Sequence, residues 1–252
     1  MQCIRLLSYN IQVGIDSRNY GDYVANGWKH ILPHGRRLHN LTLIGGLLSG
    51  YDMVGLQEVD GGSIRSAFID HTQFLARESG YPYWYRQINR DLGRFARHSN
   101  GLLSRIRPRL ITEHRLPGPR GRGALMAEFS TNCDDPLLVC VLHLALLQRS
   151  RRRQLNYILR VAREYRFAIL MGDFNCGCKS PTLRAAVAEA GFHGIDCELK
   201  TFPSWSPQRN LDHILVSPAL EIIDAGVLDH AISDHLPIGM EVALPDGVEL
   251  LD

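Results

Sequence analysis

Short apolar runs recur along this chain and keep meeting a polar residue at one end. Asn10 closes LLSYN, Gln57 and Glu58 close MVGLQE, and His143 closes LLVCVLH. Asp173 and Asn175 follow in FAILMGDFN, Asp212 opens DHILVS, and Asp234 with His235 ends AISDH. Runs of this length, rich in β-branched and aliphatic residues, read as buried strands that deliver polar groups to a common rim. Burying an unpaired charge is costly, so repeated acids beside core strands need a compensating partner. A hard divalent cation, which prefers oxygen ligands, is the simplest partner for several carboxylates. The pattern points to metal-assisted hydrolysis.

At 252 residues the chain is long enough for one large α/β domain, here taken as residues 1–252. No apolar stretch approaches the roughly 20 residues that span a bilayer. The first segment, MQCIRLLSYN, runs directly into a strand and does not read as a leader, so the expectation is a cytoplasmic monomer. Of the six cysteines, several lie in apolar runs, and Cys176-Gly177-Cys178 lacks a second pair at zinc-site spacing. All six are expected to be reduced and structural.

The net charge is only +2, but ten of the arginines fall between Arg86 and Arg122 against Asp91 and Glu113, which makes that segment +8 and the remainder −6. A second knot, Arg149 to Arg153, precedes a helical pattern. The guanidinium fork suits phosphate oxygens, so the expected partner is an anionic phosphoester, with nucleic acid as one form of it.

The coarse pattern alternates strands and helices. Strands are expected over 3–9, 52–57, 83–88, 100–104, 109–115, 124–130, 137–143, 167–171, 212–217, 221–227 and 236–243. Helices are expected over 36–48, 67–79, 151–166 and 180–190. In 151–166, Leu155, Ile158, Leu159, Ala162 and Tyr165 share one face with arginines opposite. Adjacent strands mixed with crossover helices argue for an α/β fold with mixed sheets.

Hydrolysis of a phosphoester needs a cation to neutralise the phosphoryl charge, an oriented water, and donors for the developing oxyanions. Glu58 and Asp234 suit Mg2+ or Mn2+ as oxygen ligands, with Asn10 as a neutral carbonyl or a nearby contact. Asp173 and Asn175, two apart in an extended segment, face one way as base and amide donor. His235 donates to phosphate if protonated, and Asp212 is placed to keep it so.

With SYNIQ, LQEVD, NGLLS, LHL, GDFN, LDHILVS and SDHLP in that order, the chain resembles the endonuclease/exonuclease/phosphatase superfamily, which includes deoxyribonuclease-I-like nucleases. The resemblance implies a four-layer α/β sandwich, two mixed sheets face to face with helices outside. It implies that Glu58 binds the divalent metal with Asn10 and Asp234 nearby, and that Asp173 positions the attacking water. Asn175 and His143 would contact the phosphate, and His235, paired with Asp212, would stabilise the transition state or leaving group. LQEVD and HLALLQ differ from the elements typical of apurinic endonucleases and look more like the phosphodiesterase and phosphatase branches. Secreted members carry leaders and disulfides, and neither is expected here. The implied activity is a metal-dependent phosphoesterase; a nuclease with the same site, or an inactive phosphate-binding module, are the alternatives.

Overall fold

Strand parity organises the molecule. In β1 (Cys3–Asn10), Ile4 and Leu6 face one way and Leu7 and Tyr9 the other, and each set joins a different buried cluster. The same holds for β8 (Phe167–Asp173), where Phe167, Ile169 and Met171 oppose Ala168 and Leu170. Strands apolar on both faces must be covered on both, and this produces layers. The computed structural model describes residues 1–15, 35–194 and 196–252.

Two mixed sheets face each other. The first has the order β10 (Glu221–Val227), β11 (Ile238–Ala243), β1, β2 (Met53–Asp60), β4 (Arg97–Ser104), β3 (Tyr83–Asp91). The second runs β5 (Leu110–Arg115), β6 (Gly123–Phe129), β7 (Leu137–His143), β8, β9 (Asp212–Val216). Each contains a single parallel pair, β1 with β2 and β7 with β8, flanked by antiparallel neighbours. Ile4, Leu6 and Met53 meet Val139, Val141, Ile169 and Met171 between the sheets. At Gly55 a Cβ would lie 3.1 Å from the Met171 side chain, so the absent side chain lets the sheets close there.

The outer layers are helices. Helix α1 (Arg36–Leu48) places Leu41, Ile44 and Leu48, and α2 (His71–Ser79) places Leu75 and Ala76, against Leu7, Val54, Leu56 and Leu103 of the first sheet. Helix α3 (Gln148–Ala162) and α4 (Pro181–Ala190) cover the second through Leu155, Ile158, Leu159, Leu183 and Val187. The expected α/β four-layer sandwich is the observed architecture.

Element ends follow local chemistry. Helix α2 starts at His71, later than residue 67, because Ala67 and Phe68 take left-handed φ values and the Asp70 carboxylate caps Thr72 and Gln73 N–H groups. Ser180 caps α4, Pro181 occupies its first turn, and Gly191 ends it in the left-handed region. Helix α3 begins before residue 151 and ends at Ala162, and Tyr165 instead donates to Glu128 at 2.6 Å.

Candidate functional site

The inward parity of the second sheet runs out in polar groups. His143 continues the series 137, 139, 141 of β7, Asp173 continues 167, 169, 171 of β8, and Asp212 shares its parity with Ile214 and Val216 of β9. The strand register pairs His143 with Asp173 and Asp173 with Asp212, so the three lie in a row across adjacent strands. Gly172 makes this possible. Its φ is +150°, and a Cβ there would stand only 1.9 Å from the Leu142 carbonyl oxygen.

Asp173 is the hub. His143 Nε2 lies 3.3 Å from Asp173 Oδ2, Asn10 Nδ2 donates to the same oxygen at 3.3 Å, and Asn175 Nδ2 does so at 3.2 Å. The Asn175 backbone N–H donates to Oδ1 at 2.8 Å. Asn175 sits at φ +53° and its amide also donates to the Leu144 carbonyl at 2.9 Å, which fixes a backbone conformation uncommon outside glycine. One strand away, Asp212 Oδ2 accepts from Thr201 Oγ1 at 2.5 Å and stands 2.8 Å from His235 Nδ1.

The first sheet contributes the facing wall. β2 would carry Glu58 toward the helices by strict alternation, but its register with β4 shifts between Leu56 and Val59 and Glu58 adopts φ +54°. This bulge turns the carboxylate to the rim, where Asn10 Nδ2 lies 3.4 Å from Oε1. Asn10 therefore links Glu58 to Asp173, while its Oδ1 accepts from Gln12 N–H at 3.2 Å. Asp234 is held by Ser233, whose hydroxyl is within 3.2 Å of Asp234 Oδ1 and donates to the Asn10 carbonyl at 2.7 Å. Gln57, the neighbour of Glu58, is instead buried against Ser8.

Burial and charge set the protonation states. Burial alone would raise the Asp173 carboxyl, but His143, the His235 charge and the Asn175 N–H hold it well below the usual carboxylate range. Asp234 is pushed up to about 6, first by burial and then by the negative charges of Glu58 and Asp173. Burial would lower His235, yet the Asp212 carboxylate overcomes this and raises it to about 10, so the ring is an imidazolium at neutral pH. Arg122 is lowered by burial, opposed by Glu58 and Asp173, whose charges it faces.

The donor chemistry fits a hard divalent cation. Glu58 and Asp173 are oxygen donors close enough to perturb Asp234, and Asp212 Oδ1 is buried with no hydrogen-bond partner among the described residues. Asp173, Asp212 and His235 also bring possible ligand atoms within 4.8 Å of one another. His235 suits that role less well, because its Nδ1 is engaged by Asp212 and an imidazolium has no free lone pair.

Of the nine polar residues in the chain pattern, eight, Asn10, Glu58, His143, Asp173, Asn175, Asp212, Asp234 and His235, therefore belong to one linked cluster, and Gln57 does not. Sequence reading did not single out Thr201, Ser233 or Arg122. Ser233 lies within SDHLP without standing out there, Thr201 lies in none of the motifs above, and Arg122 is one of many arginines.

The cysteine expectation needs correction. Cys178 and Cys197 form a disulfide, while Cys3, Cys133, Cys140 and Cys176 are free. Asn210 explains the encounter: its side chain accepts from Cys178 N–H at 3.1 Å and donates to the Asp196 carbonyl at 2.9 Å, drawing the loop after β8 onto the segment before β9. No spacing in the sequence announces that pairing. Among the described residues no helix is long and apolar enough to cross a membrane.

The chain matches the family model described as "Endonuclease/Exonuclease/phosphatase family" over residues 7–235. No curated protein matches it. Several solved structures share its fold. An endonuclease/exonuclease/phosphatase from Beutenbergia cavernae has a TM-score of 0.72 at 18% identity, over 97% of this chain and 72% of that one. The mannosyl-6-phosphatase Bt3783 of Bacteroides thetaiotaomicron gives 0.69 at 17% identity, over 96% and 100%. The sulfate-bound human Nocturnin catalytic domain gives 0.69 at 18% identity, over 96% and 93%. Members of the family are generally phosphoester hydrolases and typically depend on divalent metals. With its ordered motifs, its paired sheets and a model match across most of its length, the chain belongs to the endonuclease/exonuclease/phosphatase family.

Proposed function

We propose that the protein is a divalent-metal-dependent phosphoesterase that hydrolyses a phosphodiester or phosphomonoester by attack of water. The observation that carries this reading is the Asp173 hub, where an ionised carboxylate sits between His143, Asn10 and Asn175 and faces the Asp212–His235 pair. Glu58 and Asp234 would hold the ion, with Asn10 alongside as the residue that aligns Glu58 with Asp173. A bound Mg2+ or Mn2+ supplies charge neutralisation on the phosphoryl oxygens and makes water more acidic.

The remaining work falls to the chain. A carboxylate held so far below neutrality is a weak base, so Asp173 orients the attacking water and accepts its proton only as bond formation advances. Asn175 and His143 present donors to the phosphoryl oxygens. The His235 imidazolium, kept charged by Asp212, donates to a phosphoryl or leaving-group oxygen as negative charge grows.

Bis-p-nitrophenyl phosphate tests the reading. Hydrolysis should stop with EDTA and return with Mg2+, and Asp173→Asn should lower kcat by about 10²- to 10⁴-fold with a small change in KM. An effect confined to KM would move Asp173 from chemistry to binding. Inertness toward every phosphoester would favour the inactive module. A nuclease is the second reading, prompted by the +8 segment; plasmid cleavage that falls steeply between two salt concentrations would support it.

A further inference from the structure

Two cavities adjoin the site. The inner one, about 280 Å³, is walled by Glu58, His98, Asn100 and His143. The outer one, about 580 Å³, opens between β3 and the loop joining β5 to β6. They share Asn89, Arg90, Arg120, Gly121 and Arg122, so a ligand seated against Glu58 and His143 extends directly into the outer basin.

The basin gathers four arginines of the basic segment at one concavity; Arg94, Arg105 and Arg107 also form no ion pair among the described residues, but they line neither cavity. Arg86 pairs with Asp70, Arg97 with Asp91, and Arg109 with Glu128. Among the described residues, Arg90, Arg115, Arg120 and Arg122 form no ion pair, although Asp91 and Glu113 lie on the basin wall. Asp91 is engaged by Arg97, at 3.7 Å. Four guanidinium groups line one concavity, and an anion with several oxygens is the partner that matches them.

The basin is also braced. Asn100 Nδ2 donates to the Gly123 carbonyl at 3.1 Å, Leu116 N–H to the Arg122 carbonyl at 3.2 Å, and Gln87 Nε2 to the His114 carbonyl at 3.0 Å. β3 and β6 come so close that a Cβ on Gly123 would stand 2.0 Å from Asn89 Oδ1. The base of the loop that carries Arg120 and Arg122 is thereby fastened to the sheet, which favours a fixed subsite.

Resting on the phosphoesterase reading, we propose that the outer basin is a second anion subsite, and that the natural substrate is a small ester bearing a further phosphate-class group held by Arg90, Arg120 and Arg122. Asp91 and Glu113 on the same wall oppose a polyanion running onward, which favours a terminal group over a polymer backbone.

Pyrophosphate binding, measured by calorimetry in EDTA, reads this subsite without turnover. The wild-type protein should bind it, and Arg90→Gln/Arg120→Gln should raise Kd about tenfold or more, because charge-assisted hydrogen bonds are lost. Arg120→Gln alone should give an intermediate shift, and Arg107→Gln, a charge control outside the basin, none. Equal loss in the control, or no loss in the double variant, would overturn the subsite. Binding confined to oligonucleotides or phosphatidylserine vesicles, with pyrophosphate silent, would overturn the small-substrate assignment. Bis-p-nitrophenyl phosphate turnover by the wild-type protein separates the two readings. Turnover without Arg-dependent pyrophosphate binding would defeat only the subsite, and binding without turnover would defeat only the esterase.

Discussion

His235 shows how far one neighbour can move a side chain. Its burial disfavours charge, and Asp212 at 2.8 Å reverses the outcome, raising the ring to about 10. A raised folded-state value means the charged form is favoured at every pH below that value and is lost as pH climbs through it. If the imidazolium donates during turnover, kcat/KM should hold through neutrality and fall only as pH approaches about 10. Asp212→Asn removes the charge that opposes burial, so the alkaline limb should move down by two or more pH units, as a pH–rate profile would record. An unmoved limb would show that Asp212 is only a packing partner. Residue identity made this pair guessable, because Asp and His are natural partners. The sequence offered no sign that Thr201 would take the same Asp212 oxygen, since that contact depends on a loop path between strands.

At the scale of elements, strand parity was written in the chain and its interruptions were not. Alternation in β1, β7, β8 and β9 already places Asn10, His143, Asp173 and Asp212 on the faces that meet between the sheets. Glu58 breaks that rule through a bulge and a left-handed backbone, and only its strand partner β4 defines the shift. The loop after β8 is a second interruption. It carries Asn175 and is tied by Cys178–Cys197 across 19 residues of sequence, a closure that contributes about 3 kcal/mol in the chain-entropy view. Reduction, or Cys197→Ser, should therefore lower Tm measurably and loosen Asn175. A melting curve indifferent to reductant would show that the bond adds nothing to the fold. Such a bond persists in oxidising surroundings.

Across the whole molecule, the two sheets depend on one shared interior, where Met171 packs against Gly55. Met171→Ala should cost about 2–5 kcal/mol through the cavity it leaves. Circular dichroism and tryptophan fluorescence should still report one urea transition, shifted to lower denaturant; separate transitions would mean the sheets unfold independently. Periodicity by itself determined the strands, the helices and a mixed-sheet α/β class, because burial period and turn chemistry are local properties. The four-layer arrangement and the candidate site residues were legible through the ordered motifs and the family they resemble. The tertiary structure alone decided which acids share a hub, which way Glu58 turns, which cysteines meet and which arginines remain without a carboxylate. Those outcomes depend on distances between segments far apart in the chain, and pairwise charge and hydrogen-bond energies exist only once the fold has set those distances.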